Sequence, residues 1–284
     1  MRLVLLLLAI ALLGFGVLYV APAFRGQQPV AAEFSVGPWQ ISFYGLLLAT
    51  AILTAFLVAR REAQRTHFAA SAIEGALPWV VGFGFLGARL YYVVFSWQYY
   101  RADWLGVFKV WEGGLAIYGA ILGGVLGLWW YASRQGLHFP KLLDVLAVVA
   151  PLGQAVGRWG NFFNQEAFGL PTGLPWKMYV APASRPFAYL NEKFFHPTFL
   201  YESLWDLFVF LLLLRLYRKG PPAGSVAGSY LVLYGLGRFF FEGLRLDSFF
   251  LNNLRLDQLS SLLAVLLGAV LLWRSYGQTP VENP

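Results

Sequence analysis

Cysteine is absent from this chain. Its absence removes thiolate nucleophiles, iron–sulfur clusters, disulfides and thiolate zinc sites together, so any thiol in the chemistry has to arrive on another molecule. Histidine is scarce: His67, His138 and His196 stand far apart, with no metal-ligand spacing. No metal and no other cofactor is expected. Charge is also scarce. Only 12% of the 284 residues are charged and 58% are hydrophobic, where soluble domains average about 25% charged. That balance excludes an ordinary soluble fold.

What is abundant fits a bilayer. Eleven Trp and fifteen Tyr suit interfacial belts, where an apolar ring with a polar tip sits at headgroup level. The net charge of +7 would suggest nucleic acid in a soluble protein. Here the basic residues flank apolar runs, so anionic membrane lipid is the expected partner and nucleic acid is not.

The apolar runs can be placed in order. Leu3 to Val20 follows Arg2 and precedes Ala21-Pro22-Ala23. Residues 1–23 are therefore either a cleaved signal peptide or a retained membrane helix. Either way Arg2 stays cytoplasmic and Pro22 to Trp39 emerges outside. Further spans are expected near Ile41–Ala59, Leu77–Phe95, Leu115–Tyr131, Leu142–Val156, His196–Tyr217, Val226–Phe241 and Leu259–Trp273. Arg60, Arg61, Arg65, Arg134, Lys141, Arg215, Arg218 and Lys219 mark the cytoplasmic ends by the positive-inside rule. The fold class is thus all-α: a polytopic bundle of seven core transmembrane helices after the N-terminal segment. A small external head or lid is expected over 170–195, where Pro171, Pro175, Pro182 and Pro186 forbid long helices, and a cytoplasmic tail over 276–284. Gly119, Gly123 and Gly127 recur every four residues, and Gly82, Gly84 and Gly87 add small residues to the preceding span, which reads as close helix packing. Arg89, in the same span, either snorkels to the outer interface or serves the site.

Two concentrations of polar residues break the apolar pattern. The first is Gly157-Arg158-Trp159-Gly160-Asn161-Phe162-Phe163-Asn164-Gln165-Glu166-Ala167-Phe168-Gly169. Such a cluster is costly in hydrocarbon unless it faces a wet cavity, pairs internally or meets a polar ligand; the bland alternative is a solvated loop. The second is Tyr230, Tyr234, Arg238, Glu242 and Arg245, whose spacing puts all five on one helical stripe. Arg238 and Glu242 can pair at i, i+4. Arginines at both places suit phosphate handling, since a guanidinium fork grips phosphate oxygens bidentately and keeps its charge when desolvated.

The first stretch resembles the prolipoprotein diacylglyceryl transferases at every fixed position of their signature, Gly-Arg-x-Gly-Asn-Phe-x-Asn-x-Glu-x-x-Gly. His196-Pro197-Thr198-Phe199-Leu200-Tyr201-Glu202 resembles a second family motif, and the likeness runs from about Val36 to Trp273, placing the transferase domain at 36–275. It implies an enzyme of the bacterial cytoplasmic (inner) membrane with its site toward the outer half and its C-terminus inside. Such enzymes move diacylglycerol from phosphatidylglycerol onto the lipobox cysteine thiol of a lipoprotein precursor, forming a thioether and releasing glycerol phosphate. By the same resemblance the catalytic candidates are Arg158, Arg238, Tyr234, Tyr118 and Glu242. The substrate-binding candidates are Tyr44, Arg89, Asn161, Asn164, Glu166, Gly169, His196, Glu202 and Arg245. Asn161, Glu166 and Glu242 are expected to orient the arginines. Where many members carry histidine, in Trp111-Glu112-Gly113-Gly114-Leu115-Ala116-Ile117-Tyr118-Gly119, this chain has Tyr118, and a phenol near pKa ~10 is a poor base at neutral pH. Tyr118 is then either a hydrogen-bond donor or an interfacial ring packed on Trp111. The thiol proton goes to Tyr234 or Glu242, or the positive site ionises the thiol without a base. After Arg245, where the family often continues toward Pro-Asp, this chain reads Leu246-Asp247.

A transporter or channel for an anionic solute is the alternative from another class, because intramembrane arginines and carboxylates also mark ion pathways. The matched broken-helix repeats common in such folds are not visible here. A purely structural membrane protein leaves the stripe around Arg238 without a purpose.

Overall fold

The computed structural model describes residues 14–66, 70–101, 103–248, 250–252 and 254–277. Arg2 and the greater part of the N-terminal apolar segment, His67 and most of the C-terminal tail lie outside the described residues. Seven long helices carry the described chain: α1 Phe43–Arg65, α2 Ala70–Phe95, α3 Ile117–Gln135, α4 Phe139–Asn164, α5 Thr198–Tyr217, α6 Ser225–Glu242 and α7 Leu256–Gly277. Four of them, α1, α2, α4 and α7, are long and apolar enough to cross a membrane. Their outer faces stay apolar and exposed, as at Leu53, Leu57, Leu86, Leu90, Leu263 and Leu266, a surface that water would not tolerate at this extent. Thr50 and Thr54 return their hydroxyls to the carbonyls of Leu46 and Thr50, both at 2.8 Å, which leaves no unsatisfied donor toward lipid.

The all-helical expectation needs one correction. Three short antiparallel pairs are present: β1 Glu33–Val36 with β2 Trp39–Ser42, β3 Met178–Tyr179 with β4 Phe194–Phe195, and β5 Phe250–Leu251 with β6 Leu254–Arg255. Each sits where a loop folds back on itself. Gly37, at φ 61°, turns the first hairpin, and the strands of the second close the proline-rich region 170–195.

The chain divides into two compact units. One comprises Ala55–Ala150, Leu212–Tyr230 and Ala269–Pro284. Within it α2 and α3 pack backbone to backbone along the glycine rows. A Cβ at Gly123 would strike the Phe83 carbonyl oxygen and lie 3.2 Å from Gly87 Cα, whereas one at Gly82 would meet nothing within 4 Å. Gly123→Val is therefore expected to destabilise the protein by about 2–3 kcal/mol through overpacking, read as a lowered Tm in detergent, while Gly82→Ala leaves Tm unchanged or raised. Glu62, buried on α1, takes both Arg218 Nε at 2.8 Å and Nη2 at 2.6 Å. Asp144 of α4 accepts the backbone N–H of Gly224 at 2.7 Å and Ala227 at 2.8 Å, so a neighbouring helix supplies the cap that α6 lacks in its own sequence.

The other unit comprises Met1–Thr54, Pro151–Leu211 and Leu231–Gly268. Its core gathers Ala23, Phe162, Phe163, Phe168, Met178, Val180, Phe195 and Phe199. This core binds the end of α4, the strands β3 and β4 and the start of α5 into one block. Phe43, at the start of α1, stacks on Phe163 with ring centroids 4.4 Å apart.

Candidate active site

The signature does not form a loop at its start. Helix α4 continues through Gly157 and Gly160 to Asn164, and only then does the chain turn, with Gln165 at φ 53° and Ala167 at φ 55°. Helical geometry carries Arg158 inward. Gly160 is glycine because the Tyr44 ring lies on it, 3.0 Å from the place of a Cβ to Tyr44 Cε2, so the candidate Tyr44 meets the α4 backbone inside the signature. Gly169 likewise admits neighbours: a Cβ there would sit 2.9 Å from both His196 Cβ and Thr198 Cγ2. Its N–H donates to the His196 carbonyl at 2.9 Å, and Leu170 N–H donates to the Leu244 carbonyl at 2.9 Å. The turn 165–170 thus ties the end of α4 to the entry of α5 and the exit of α6. Gln165 extends the tie to the head, accepting Ala181 N–H on its Oε1 at 2.7 Å.

The carboxylate of Glu202, buried on α5, stands at the centre. Its Oε2 pairs with Arg158 Nη2 and lies 3.4 Å from Arg238 Nη1, while its Oε1 lies 3.6 Å from Arg245 Nη1. One side chain therefore draws together three arginines from α4, from α6 and from the turn after α6. The stripe reading of Arg245 is corrected here: α6 ends at Glu242, and Arg245 reaches the cluster from the turn. Arg238 Nη2 is held by Glu242 Oε2 at 2.8 Å and by Asp257 Oδ2 at 2.5 Å. Arg245 grips Asp247 with two hydrogen bonds, 2.9 and 2.6 Å long. Burial works to raise the Asp247 carboxyl, but the hydrogen bond and charge of Arg245 outweigh it and hold that carboxyl below its usual range. Asp206, one turn along α5 from Glu202, places Oδ2 4.0 Å from Arg158 Nε. Tyr234, half-buried on α6, feels the charges of Arg158, Arg238, Asp206 and Glu202.

The other candidates fall in three places. Asn161 and Asn164 both donate to Glu166 Oε1, at 3.0 and 3.1 Å, and form a polar knot of their own; among the described residues no hydrogen bond joins it to Arg158 or Arg238. The expectation that Asn161 and Glu166 orient the arginines therefore has no hydrogen bond of this knot behind it; Glu166 lies past the end of α4 and is exposed. His196 shares Tyr201 with Trp176: Nδ1 lies 3.2 Å from the Tyr201 hydroxyl, which accepts Trp176 Nε1–H at 2.8 Å. Arg89 and Tyr118 belong to the other unit. Arg89 is buried and donates to the carbonyls of Val107, Gly113, Gly114 and Gly106 at 2.6–2.9 Å, with its guanidinium over the Tyr100 ring. It clamps the segment 106–114 rather than snorkelling. Tyr118 opens α3 with its ring 6.3 Å from that of Tyr91.

Sequence reasoning missed Asp206, Asp257 and Arg255 as members of this site. Asp206 carried a signal: two acids four residues apart in an apolar helix share a face and need a partner. Arg255, whose guanidinium donates to the Glu242 and Arg245 carbonyls and to Ser248, holds the turn that carries Arg245. Nothing in its local sequence shows that.

Helices long and apolar enough to span a bilayer, with arginines and carboxylates gathered on one another, mark a multi-pass membrane protein. The comparisons with known proteins agree and are more specific. The family model described as Prolipoprotein diacylglyceryl transferase matches residues 29–274. The chain is 43% identical over 272 residues to the phosphatidylglycerol–prolipoprotein diacylglyceryl transferase of Synechococcus sp. (strain CC9902), covering 90% of this chain and 97% of that one. It is 40% identical to the enzyme of the same name from Fervidobacterium nodosum, over 97% of this chain and 95% of the relative. With that of Thermotoga petrophila it shares 43% identity, over 88% and 87%. The chain belongs to the prolipoprotein diacylglyceryl transferase family.

Proposed function

We propose that this chain transfers the diacylglyceryl group of phosphatidylglycerol to the lipobox cysteine of a lipoprotein precursor in the bacterial cytoplasmic membrane. The observation that carries this reading is the gathering of Arg158, Arg238 and Arg245 on Glu202, in a chain that belongs to this family. The precursor thiol attacks the terminal glyceryl carbon, the C–S bond forms, and the C–O bond to phosphate breaks. Negative charge grows on the departing glycerol phosphate, and arginines aimed at it stabilise the transition state more than the ground state. Glu242 and Asp257 hold Arg238 so that its planar fork is placed before the substrate arrives.

Tyr234 lies among these charges and donates to the same phosphate. Tyr44, Gly169, His196 and the Asn161–Asn164–Glu166 knot shape the lipid and peptide approaches beside α4. Within the other unit, the resemblance gives Tyr118 at the start of α3 the part of a hydrogen-bond donor, and Arg89 fixes segment 106–114. The region 170–195 serves as the external head that admits the precursor. Seven core helices cross the membrane with the site toward the outer half and the C-terminus inside. No observation favours a transporter.

Incubating the purified protein in liposomes with phosphatidylglycerol and a lipobox peptide should yield a diacylglyceryl thioether, seen by mass spectrometry. Movement of an anionic solute across the liposome without thioether would contradict the reading.

A further inference from the structure

The transferase reading leaves the thiol proton without a destination. The thiolate is the nucleophile, and a free cysteine has a pKa of about 8.5, so a group in the site has to accept the proton near neutral pH. Among the described residues no histidine touches the arginine cluster; His196 is engaged with Tyr201 and His138 lies at the start of α4. The acceptor is therefore sought among the carboxylates. Most of them are taken. Glu202 is drawn on by three arginines, Glu242 and Asp257 by Arg238 at 2.8 and 2.5 Å, and Asp247 by the fork of Arg245. Protonating any of these would release an arginine that the phosphate needs.

Asp206 is different. Its side chain is 95% buried and its Oδ2 has no hydrogen-bond partner; Glu202 Oε1 and the Glu242 oxygens also lack one, but those two acids sit within 3.6 Å of an arginine nitrogen, which Asp206 does not. Among the described residues the arginine that reaches within 4.0 Å of it is Arg158, at Nε, beyond hydrogen-bonding distance. The charged and titratable groups that face it are Arg158 from α4, Glu202 from its own helix, and Tyr234 and Arg238 from α6. A buried carboxylate oxygen without a donor is costly unless something fills the vacancy, and a thiol S–H is a donor of the right kind.

Resting on the transferase reading, we propose that Asp206 is a further catalytic residue, the acceptor of the precursor thiol's proton. Asp206 takes the proton from sulfur as the sulfur electron pair forms the C–S bond. The C–O bond breaks, its pair leaves with the phosphate held by Arg158 and Arg238, and the proton passes from Asp206 to that departing phosphate. Atoms and charge balance without an outside acid or base, and Asp206 returns to a carboxylate.

The test compares two lipobox peptides, one with cysteine and one with selenocysteine, in single-turnover reactions with phosphatidylglycerol liposomes. A selenol is ionised at neutral pH and needs no base. Asp206→Asn is expected to slow the cysteine peptide by about 10²–10⁴-fold, the usual range for a general base, and the selenocysteine peptide by less than about tenfold. Asp206→Glu should recover part of the cysteine rate. Equal deficits with both peptides would overturn the proposal, because a residue that only positions Arg158 slows both alike. Wild-type protein gives a second reading that depends on no variant's folding. With the cysteine peptide the rate should reach a plateau through neutral pH; a tenfold rise per pH unit up to about 8.5 would mean spontaneous ionisation of the thiol and would overturn the base role. Wild-type protein that makes neither thioether nor selenoether would overturn the transferase reading first, and this proposal with it.

Discussion

Arg238→Lys should lower the rate of thioether formation by about a thousandfold, the scale on which single charge-stabilising donors act in transition states. Lysine keeps the charge, so long-range attraction of the lipid headgroup survives. What it loses is the fork. Arg238 presents Nη1 to Glu202 at 3.4 Å and Nη2 to both Glu242 and Asp257, at 2.8 and 2.5 Å. An ammonium on a flexible stem cannot keep those acids and still offer two parallel N–H groups to a phosphate. The loss should fall on kcat, with KM for phosphatidylglycerol changing far less, because the interaction strengthens as the phosphate departs. Arg158→Lys should behave similarly. Full activity in both lysine variants would show that charge alone suffices.

The second large effect concerns Glu202. Glu202→Gln removes the carboxylate that Arg158, Arg238 and Arg245 share. Breaking a buried ion pair from one side costs about 3–5 kcal/mol, since the remaining charge stays buried without its counterion. The three arginines are not hurt equally. Arg238 retains Glu242 and Asp257, and Arg245 retains Asp247, while among the described residues Arg158 keeps Asp206 alone as an acidic partner, at 4.0 Å. The variant should therefore lose stability, read as a lowered Tm in detergent, together with most of its activity. Glu166→Gln is the control. Its exposed carboxylate accepts from Asn161 and Asn164, and its effect on stability should stay within about 0.5 kcal/mol. Equal Tm shifts in the two variants would remove Glu202 from the centre of the account.

Both effects rest on residues that the sequence made visible to different degrees. Arg158 and Arg238 stood out because charge inside apolar runs needs a reason, and helical spacing announced the Arg238–Glu242 pair. Glycine was the less direct signal. Gly157 and Gly160 interrupt the apolar pattern, yet α4 runs through both; Tyr44 occupies the space a side chain at Gly160 would take, while a side chain at Gly157 would meet nothing within 4 Å. Close approach explains Gly160, and that depends on a residue more than a hundred positions away. Arg89 could not be assigned from its own span, since its carbonyl partners lie on a loop that only the folded chain brings back over it. Two-residue strands such as β3 and β4 carry no periodicity to detect. Asp206 was legible in principle, being four residues after Glu202 on an apolar helix, whereas Asp257 and Arg255 enter the cluster only through tertiary contacts.

The most direct test follows the bond that breaks. Phosphatidylglycerol labelled with heavy oxygen between the diacylglyceryl carbon and phosphorus is incubated with the protein and a lipobox peptide, and both products are weighed. Attack of the thiol on carbon, with the phosphate leaving onto Arg158 and Arg238, predicts thioether and glycerol phosphate in equal amounts, with all of the label in the glycerol phosphate. Label left on a lipid alcohol, or glycerol phosphate released without thioether, would contradict the account.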